Sequence, residues 1–197
     1  IRLAYVSADF HEHATAYLMA ELFARHDRSR FEVIAVSFGP DDRSPMRKRL
    51  KAAFDQFWDV SQDNATAISQ RMRDEGVDIA IDLKGFTRDS RPSIFLRKPA
   101  PVVVSYLGYP GTMGSTAYDY LVGDPVVTPA ELAPNYVEKV VQMPATYQVN
   151  DTQRVIAAQV PSRVDEGLPE RGFVFAAFNN VYKITPTVFA AWMRLLA

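Results

Sequence analysis

The sequence contains no cysteine among its 197 residues. Disulfide bonds, thiolate nucleophiles and cysteine-ligated zinc sites are therefore excluded. An excess of charge of one sign is also missing, because 22 basic and 23 acidic side chains leave a net charge of −1. That balance argues against a generally electropositive nucleic-acid binder. No apolar run approaches the roughly 20 residues that cross a bilayer. We therefore expect neither nucleic acid nor membrane as a partner, and a cytoplasmic location.

Hydrophobic residues make up 48% of the chain and charged residues 23%, enough apolar material for a packed core. The chain begins at Ile1 inside a strand-like run and ends at Ala197 inside a helix-like run. This pattern favours a piece of a longer protein.

Strand-like and helix-like segments alternate along the first two thirds of the chain. Short apolar runs predict strands at 3–7, 33–38, 77–83, 102–107 and 118–122, with helices at 14–25, from Pro45, and at 65–75. This alternation predicts an α/β fold with a doubly wound, mostly parallel sheet. We place a first domain at residues 1–123 and an irregular, proline-rich segment at 124–171. A strand, loop and helix at 172–197 then open a second unit.

Ligands of such sheets gather beyond the carboxyl ends of the strands, and one polar cluster follows the first predicted strand. It contains Asp9, His11, His13 and Thr15, directly before a helix whose N-terminus favours anions. The pair His11/His13 is also half of a possible metal site, although His26, the third histidine, lies at the far end of that helix. The alternative is structural: Asp9 or Thr15 caps the helix and the histidines are merely exposed.

Three further loops contain residues suited to bind a ligand. Gly108, Gly111 and Gly114 follow a valine-rich strand, where missing side chains let the backbone approach a ligand closely. Lys84 and Arg88 lie after the preceding strand, where they either contact an anion or form a solvated loop. Lys183 lies in the loop 179–185, where a cation can neutralise a phosphate.

The order of four segments, 2–10, 13–15, 107–112 and 178–184, resembles the catalytic region of the O-linked N-acetylglucosamine transferases in its bacterial form. The resemblance covers almost the whole chain and is weakest between Asp151 and Arg171. It implies the first lobe of a two-lobed, GT-B-type glycosyltransferase with Rossmann-like lobes, followed by the start of the second lobe. It also implies transfer of N-acetylglucosamine from UDP-GlcNAc to serine or threonine hydroxyls of proteins, with inversion and with no metal or other cofactor. The implied partners are the nucleotide-sugar donor, a protein or peptide acceptor, the rest of the second lobe and preceding tetratricopeptide helices.

The resemblance also implies roles for individual residues. His13 and Asp9 match the positions considered as proton acceptor or relay, Lys183 matches the lysine at the diphosphate, and Thr15 matches a threonine at the sugar nucleotide. The expected substrate-binding residues are completed by Phe86, Leu107, Gly108, Tyr109, Pro110, Gly111, Thr112 and Asn180. Asn180 replaces a glutamine of some members, and Phe86 replaces a tyrosine of animal members, so no hydroxyl role transfers there.

Two other functions remain open at this point. One is a metal-dependent hydrolase that uses His11 and His13, which would need further ligands converging on the metal. The other is a non-catalytic α/β domain that binds a nucleotide or a protein.

Overall fold

A computed structural model describes residues 1–196, and it contains one sheet of seven strands. The strands are β1 (Arg2–Ser7), β2 (Glu32–Ser37), β3 (Gln56–Asp59), β4 (Ile79–Asp82), β5 (Val102–Tyr106), β6 (Tyr120–Gly123) and β7 (Lys139–Gln142). Their order is β3-β2-β1-β4-β5-β6-β7, and every neighbouring pair is parallel. The direction of winding reverses between β1 and β4. The predicted doubly wound α/β fold is confirmed.

Residues 1–196 contain four α-helices: α1 (Ala14–Ala24), α2 (Pro45–Ala53), α3 (Ala65–Asp74) and α4 (Pro186–Leu196). Short 3₁₀ helices lie at Pro92–Arg97, Ala130–Asn135 and Val181–Lys183. The starts of α2 and α3 follow from their sequences. The side chains of Ser44 and Asn64 accept hydrogen bonds from the N–H groups of Arg47 and Ala67, which the first helical turn leaves without partners.

Both faces of the sheet are buried, as a parallel sheet requires. Alternate residues of β1 point to opposite faces, so Leu3 and Tyr5 pack with α1 and α2. Ala4 and Val6 belong to the other apolar cluster, which includes Ile68 of α3. Because both faces are covered, polar loops at the ends of the strands are where a ligand can reach this sheet.

The first compact unit extends past the predicted boundary at residue 123 and runs from Ile1 to Arg154. Strand β7 lies within the segment 124–171, which was predicted to be irregular, and it extends the sheet by one strand. A terminal strap, residues 147–154, then crosses α1 and α2. Thr152 donates from its backbone N–H and its hydroxyl to Glu21 at 2.6 and 2.7 Å, and Arg49 donates twice to Asp151.

The strand predicted at residues 172–178 was wrong. These residues form no strand, and among residues 1–196 no segment pairs with them. Phe173 and Phe178 are 82% and 99% exposed. A buried strand needs hydrogen-bonding neighbours on both sides, and apolar sequence alone does not supply them. The helix predicted to begin at Pro186 is confirmed as α4, which lies in the second compact unit, Val155–Ala197.

None of the helices in the described part of the chain is both long and apolar enough to span a membrane.

Candidate active site

The polar cluster after β1 lies at the carboxyl edge of the sheet, where the winding direction reverses between β1 and β4. Asp9 follows β1 and is 5% exposed, while Lys84 follows β4 and is equally buried. The Lys84 Nζ donates to both carboxylate oxygens of Asp9, at 2.8 and 2.9 Å. The solvated-loop interpretation of Lys84 was therefore wrong. The sequence shows that Lys84 follows a strand, but it does not show which acidic side chain pairs with Lys84.

His13 occupies the N-cap position of α1, with extended backbone angles. Its Nδ1 accepts the backbone N–H of Thr15 at 3.2 Å and lies 3.5 Å from Oδ2 of Asp9. The Thr15 hydroxyl donates to the same carboxylate oxygen at 3.4 Å. The structure thus brings Asp9, His13 and Thr15 together. It assigns the cap to His13, whereas the structural alternative gave the cap to Asp9 or Thr15.

Burial is the main cause that lowers the pKa of His13 from its ordinary value of 6.5. The Asp9 carboxylate raises this pKa, and the neighbouring Lys84 and His11 side chains lower it. The net direction is downward, so the imidazole is neutral at pH 7. The side chain is 40% exposed, and a neutral imidazole can accept a proton from a molecule at the sheet edge when Nε2 is its unprotonated nitrogen.

The glycine-rich loop after β5 is held against the end of β4. A Cβ atom on Gly108 would lie 2.1 Å from the carbonyl oxygen of Leu83, so only glycine fits there. Leu107, just before it, has a φ of 67°, a left-handed conformation that is costly for a leucine. The two strand ends therefore approach closely, and the loop leaves the sheet in a fixed direction.

Tyr109 packs into the space that two glycines leave open. Cβ atoms on Gly85 and Gly111 would lie 2.5 and 2.8 Å from atoms of the Tyr109 side chain. Phe86 is 55% exposed and meets the Tyr109 ring edge-on, with 5.6 Å between centroids. This aromatic pair joins the loops after β4 and β5 into one surface.

The far end of the glycine-rich loop is fixed by Glu138, which sequence reasoning missed. This buried carboxylate accepts the Thr112 hydroxyl and the Met113 N–H, each at 2.7 Å. The Pro110 carbonyl accepts a hydrogen bond from the Tyr136 hydroxyl at 3.3 Å. The loop is thus held at both ends. Glu138 precedes β7, an element that the sequence did not predict.

A cleft of about 730 Å³ opens beside the cluster, between the loops after β1, β2, β3 and β4. Asp9, His11, Asp41 and Arg91 contribute to its lining. Arg47 of α2 is almost wholly buried and donates to the Phe10 carbonyl at 2.9 Å and to Asp59 at 3.0 Å. It ties the loop that contains Asp9 and His13 to the end of β3.

Asn180 and Lys183 belong to the second compact unit and are exposed. Lys183 ends the 3₁₀ helix Val181–Lys183, and Asn180 is its N-cap residue. Their part in the site stays a prediction.

Comparison with known proteins decides the family. Residues 1–158 match the model of glycosyl transferase family 41. The chain belongs to this family. The resemblance drawn from the sequence motifs is confirmed.

Relatives of known name match over most of the chain. A probable UDP-N-acetylglucosamine–peptide N-acetylglucosaminyltransferase of Arabidopsis thaliana, SEC, is 39% identical over 201 residues, which cover 100% of this chain and 21% of the relative. The UDP-N-acetylglucosamine–peptide N-acetylglucosaminyltransferase of Caenorhabditis elegans is 36% identical over 157 residues, covering 79% of this chain and 14% of the relative. The chain therefore spans about a fifth or less of these relatives.

A solved structure shows the same fold. A mutant of Thermobaculum terrenum O-GlcNAc transferase superposes with a TM-score of 0.72 and 32% sequence identity, covering 75% of this chain and 28% of that chain.

The metal-dependent hydrolase is not favoured. The rings of His11 and His13 lie 5.7 Å apart, and His11 is 4.0 Å from Asp42. Yet in residues 1–196 no group of three or more histidine, aspartate or glutamate side chains is arranged to hold a metal ion.

Proposed function

We propose that the protein containing this family 41 chain transfers N-acetylglucosamine from UDP-GlcNAc to serine or threonine hydroxyls of proteins. The observation that carries the proposal is the cluster of Asp9, His13 and Thr15 at the sheet edge where the winding reverses. Ligands of open α/β sheets bind at such switch points. The relatives are named for transfer of N-acetylglucosamine to peptides, which supports the same donor and acceptor classes here.

The acceptor hydroxyl must lose a proton as it attacks the sugar. In the proposed step its O–H bond breaks, the oxygen bonds to C1 of the sugar, and the proton passes to the imidazole of His13. The bond between C1 and the phosphate oxygen breaks, and UDP leaves with that electron pair. A direct displacement of this kind inverts the configuration at C1.

The leaving diphosphate gains negative charge, which a preorganised cation stabilises. We assign this role to Lys183, with Asn180 contacting the donor. No metal ion takes part in the proposed step. The loop of residues 107–112 and the side chain of Phe86 shape the sugar pocket, because a rigid apolar surface with a few polar groups suits an N-acetyl sugar.

The complete enzyme in this proposal has two Rossmann-like lobes. The seven-stranded sheet, within residues 1–154, belongs to the first lobe, and residues 172–197 belong to the second. The rest of the second lobe completes the donor site, and tetratricopeptide helices precede the catalytic region. A cytoplasmic location stays a prediction.

The test is turnover of UDP-GlcNAc by the full-length protein with a peptide acceptor. His13→Ala is expected to lower kcat by on the order of 100- to 10,000-fold, because the proton acceptor is lost. His26→Gln, two residues beyond the C-terminal end of α1, is the matched control and should keep near-normal turnover. Lys183→Ala should cost about 100- to 1000-fold. A donor with a better leaving group should partly rescue Lys183→Ala and leave His13→Ala slow.

Several outcomes would contradict the proposal. No turnover by the wild-type protein in this assay would favour a non-catalytic binding domain. Retention of configuration in the product, seen by NMR, would overturn the direct displacement. Loss of activity with a chelator, restored by a divalent cation, would overturn metal independence.

A further inference from the structure

We propose that Lys84 is a positioning residue, which holds Asp9 as an oriented carboxylate and so selects the form of the His13 imidazole that can accept a proton. This inference rests on the proposed function for its role in catalysis. Its structural part, the control of the His13 ring by Lys84, can be measured without activity.

Lys84 is fixed at both its side chain and its backbone. Its Nζ contacts both oxygens of Asp9, and the two side chains are 6% and 7% exposed. Its backbone N–H donates at 2.8 Å to Asp82, whose other oxygen accepts the Tyr118 hydroxyl at 2.8 Å. The ammonium group therefore cannot swing away without breaking a buried network, and Asp9 is held in one orientation.

Asp9 is poorly placed to take the acceptor's proton itself. Both of its oxygens already accept hydrogen bonds from Lys84, and Oδ2 also accepts the Thr15 hydroxyl. His13, with a half-exposed ring, remains the group that can receive a proton. Sequence reasoning left these two residues as equal candidates, and the position of Lys84 separates them.

The imidazole of His13 has two competing arrangements in its neutral state. In the first, Nδ1 accepts the Thr15 N–H as the helix cap, and the proton sits on Nε2. In the second, Nδ1 carries the proton and donates it toward Asp9 Oδ2, 3.5 Å away. Only the second leaves Nε2 free to accept a proton from a hydroxyl. Asp9 must be a fixed anion to favour that second form over the cap.

Lys84 also disfavours the doubly protonated form of the His13 ring. An unpaired Asp9 carboxylate next to His13 would stabilise the doubly protonated imidazolium, which accepts no proton. The charged and titratable groups around the His13 ring are Asp9 after β1, Lys84 after β4 and His11 in the same loop, and Asp42 after β2 lies 4.0 Å from His11. The cation of Lys84 offsets the anion of Asp9 while leaving it in place as an acceptor.

The direct test is ¹⁵N NMR of histidine-labelled full-length protein at pH 7.5, with the His13 signals identified by their loss in His13→Asn. Nitrogen shifts distinguish the two neutral forms and the imidazolium. The wild-type protein is expected to populate the form protonated on Nδ1 in exchange with the capping form that the structure shows. Lys84→Met should deplete it in favour of the capping form or the imidazolium, and Lys84→Arg should preserve it.

A wild-type ring protonated wholly on Nε2 would overturn the proposal. An unchanged His13 spectrum in Lys84→Met would also overturn it. Removing one partner of a buried ion pair can unfold a protein, so thermal melting accompanies each variant. If Lys84→Met does not fold, Lys84→Gln takes its place, because it removes the charge and keeps a hydrogen-bond donor.

The catalytic part is tested by a double-mutant cycle on kcat. Lys84→Met is expected to lower kcat by about 100-fold, because the working imidazole form is lost. In the Asp9→Asn background the same substitution should change kcat less than about twofold, since Lys84 acts through Asp9. Equal losses in both backgrounds would show a merely structural role. A normal NMR response with no turnover at all would reject the proposed function and leave the ion pair's control of His13 intact.

Discussion

Gly108 shows how a missing side chain determines the shape of the candidate site. Its neighbour Leu107 adopts the left-handed conformation, and the carbonyl of Leu83 occupies the place of a Cβ on Gly108. A backbone carbonyl at the end of a central strand cannot move aside as a flexible side chain can. The sugar-pocket loop in the proposed function therefore depends on a contact made entirely by backbone atoms.

Gly108→Ala is expected to destabilise the protein by about 3 kcal/mol, because the new methyl group forces β4 and β5 apart. Gly76→Ala is the matched control. Gly76 has a φ of 66° and no atom within 4 Å of the place that a Cβ would occupy, so only the left-handed backbone opposes alanine there. That control should cost about 1 kcal/mol. Urea unfolding of both variants measures the difference, and equal costs would mean that the Leu83 contact relaxes freely.

Sequence patterns located the residues of the cluster but not their pairing. Asp9 and His13 stand out because they follow an apolar run and precede a helix. Lys84 also follows a strand, yet nothing near it in the sequence indicates that an acid 75 positions away will cover it. Long-range ion pairs of this kind are set by the order of strands, which a local pattern does not contain.

At the scale of single elements, the strap of residues 147–154 is a segment without helix or strand that side-chain contacts hold against the first compact unit. The Tyr106 hydroxyl donates to the Tyr147 carbonyl at 2.8 Å, and Arg49 of α2 forms a two-point ion pair with Asp151. The strap is therefore bound to β5 at Tyr147 and to α2 at Asp151.

The ion pair of the strap gives a pH-dependent prediction. The hydrogen bond from Arg49 is the main cause that holds the pKa of Asp151 below its ordinary value of 3.8. A carboxyl with a depressed pKa stabilises the fold above its unfolded-state value, and this contribution is lost as the pH falls through the lowered folded-state value. Asp151→Asn should therefore lower the free energy of unfolding by about 1–2 kcal/mol at pH 7.

The difference between Asp151→Asn and wild type should shrink steadily once the pH falls below 3.8. Asp63→Asn, at an exposed position before α3, is the control and should match wild type at both pH values. Urea midpoints at neutral and acid pH provide the measurement. A difference that persists unchanged in acid would assign the strap's stability to packing rather than to charge.

Elements with strong hydrophobic patterns were predicted from the sequence, and elements with weak hydrophobic patterns were not. The apolar run that predicted β5 needed no context. In contrast, β3 has the sequence Gln56-Phe57-Trp58-Asp59 and β7 has Lys139-Val140-Val141-Gln142, each with only two apolar residues at its centre. Both are edge strands of the sheet, where one side needs no partner and the sequence constraint is weaker. The run 172–178 shows the reverse error, since its apolar content is high but no segment of residues 1–196 pairs with it.

At the scale of the whole molecule, the two compact units differ in how their apolar side chains are covered. The first unit contains the buried sheet, while Val155, Ile156 and Val160 in the second are 98%, 88% and 92% exposed. Residues 155–180 also contain no strand or helix. Backbone with few buried contacts opens at low free-energy cost.

Limited trypsin digestion of the 1–197 polypeptide should therefore cut first after Arg154, Arg163 or Arg171, which are all exposed. A resistant fragment that ends near residue 154 is expected, because Arg47 and Lys84 are buried in the first unit. Mass spectrometry of the early fragments identifies the sites. Early cuts at Arg47 or Lys84 would contradict the described packing.

The pair Asp9–Lys84 also bears on how the molecule folds. It joins positions 75 residues apart, across the two central strands, so it forms only after β1 and β4 have paired. Closing a loop of that length costs entropy that only long-range contacts repay. The site therefore does not exist in any partly folded chain that has assembled its helices but not its central strand pair. A refolding protein would acquire the native His13 ring state only once β1 and β4 have paired, so the NMR signals of that ring report on this step of folding.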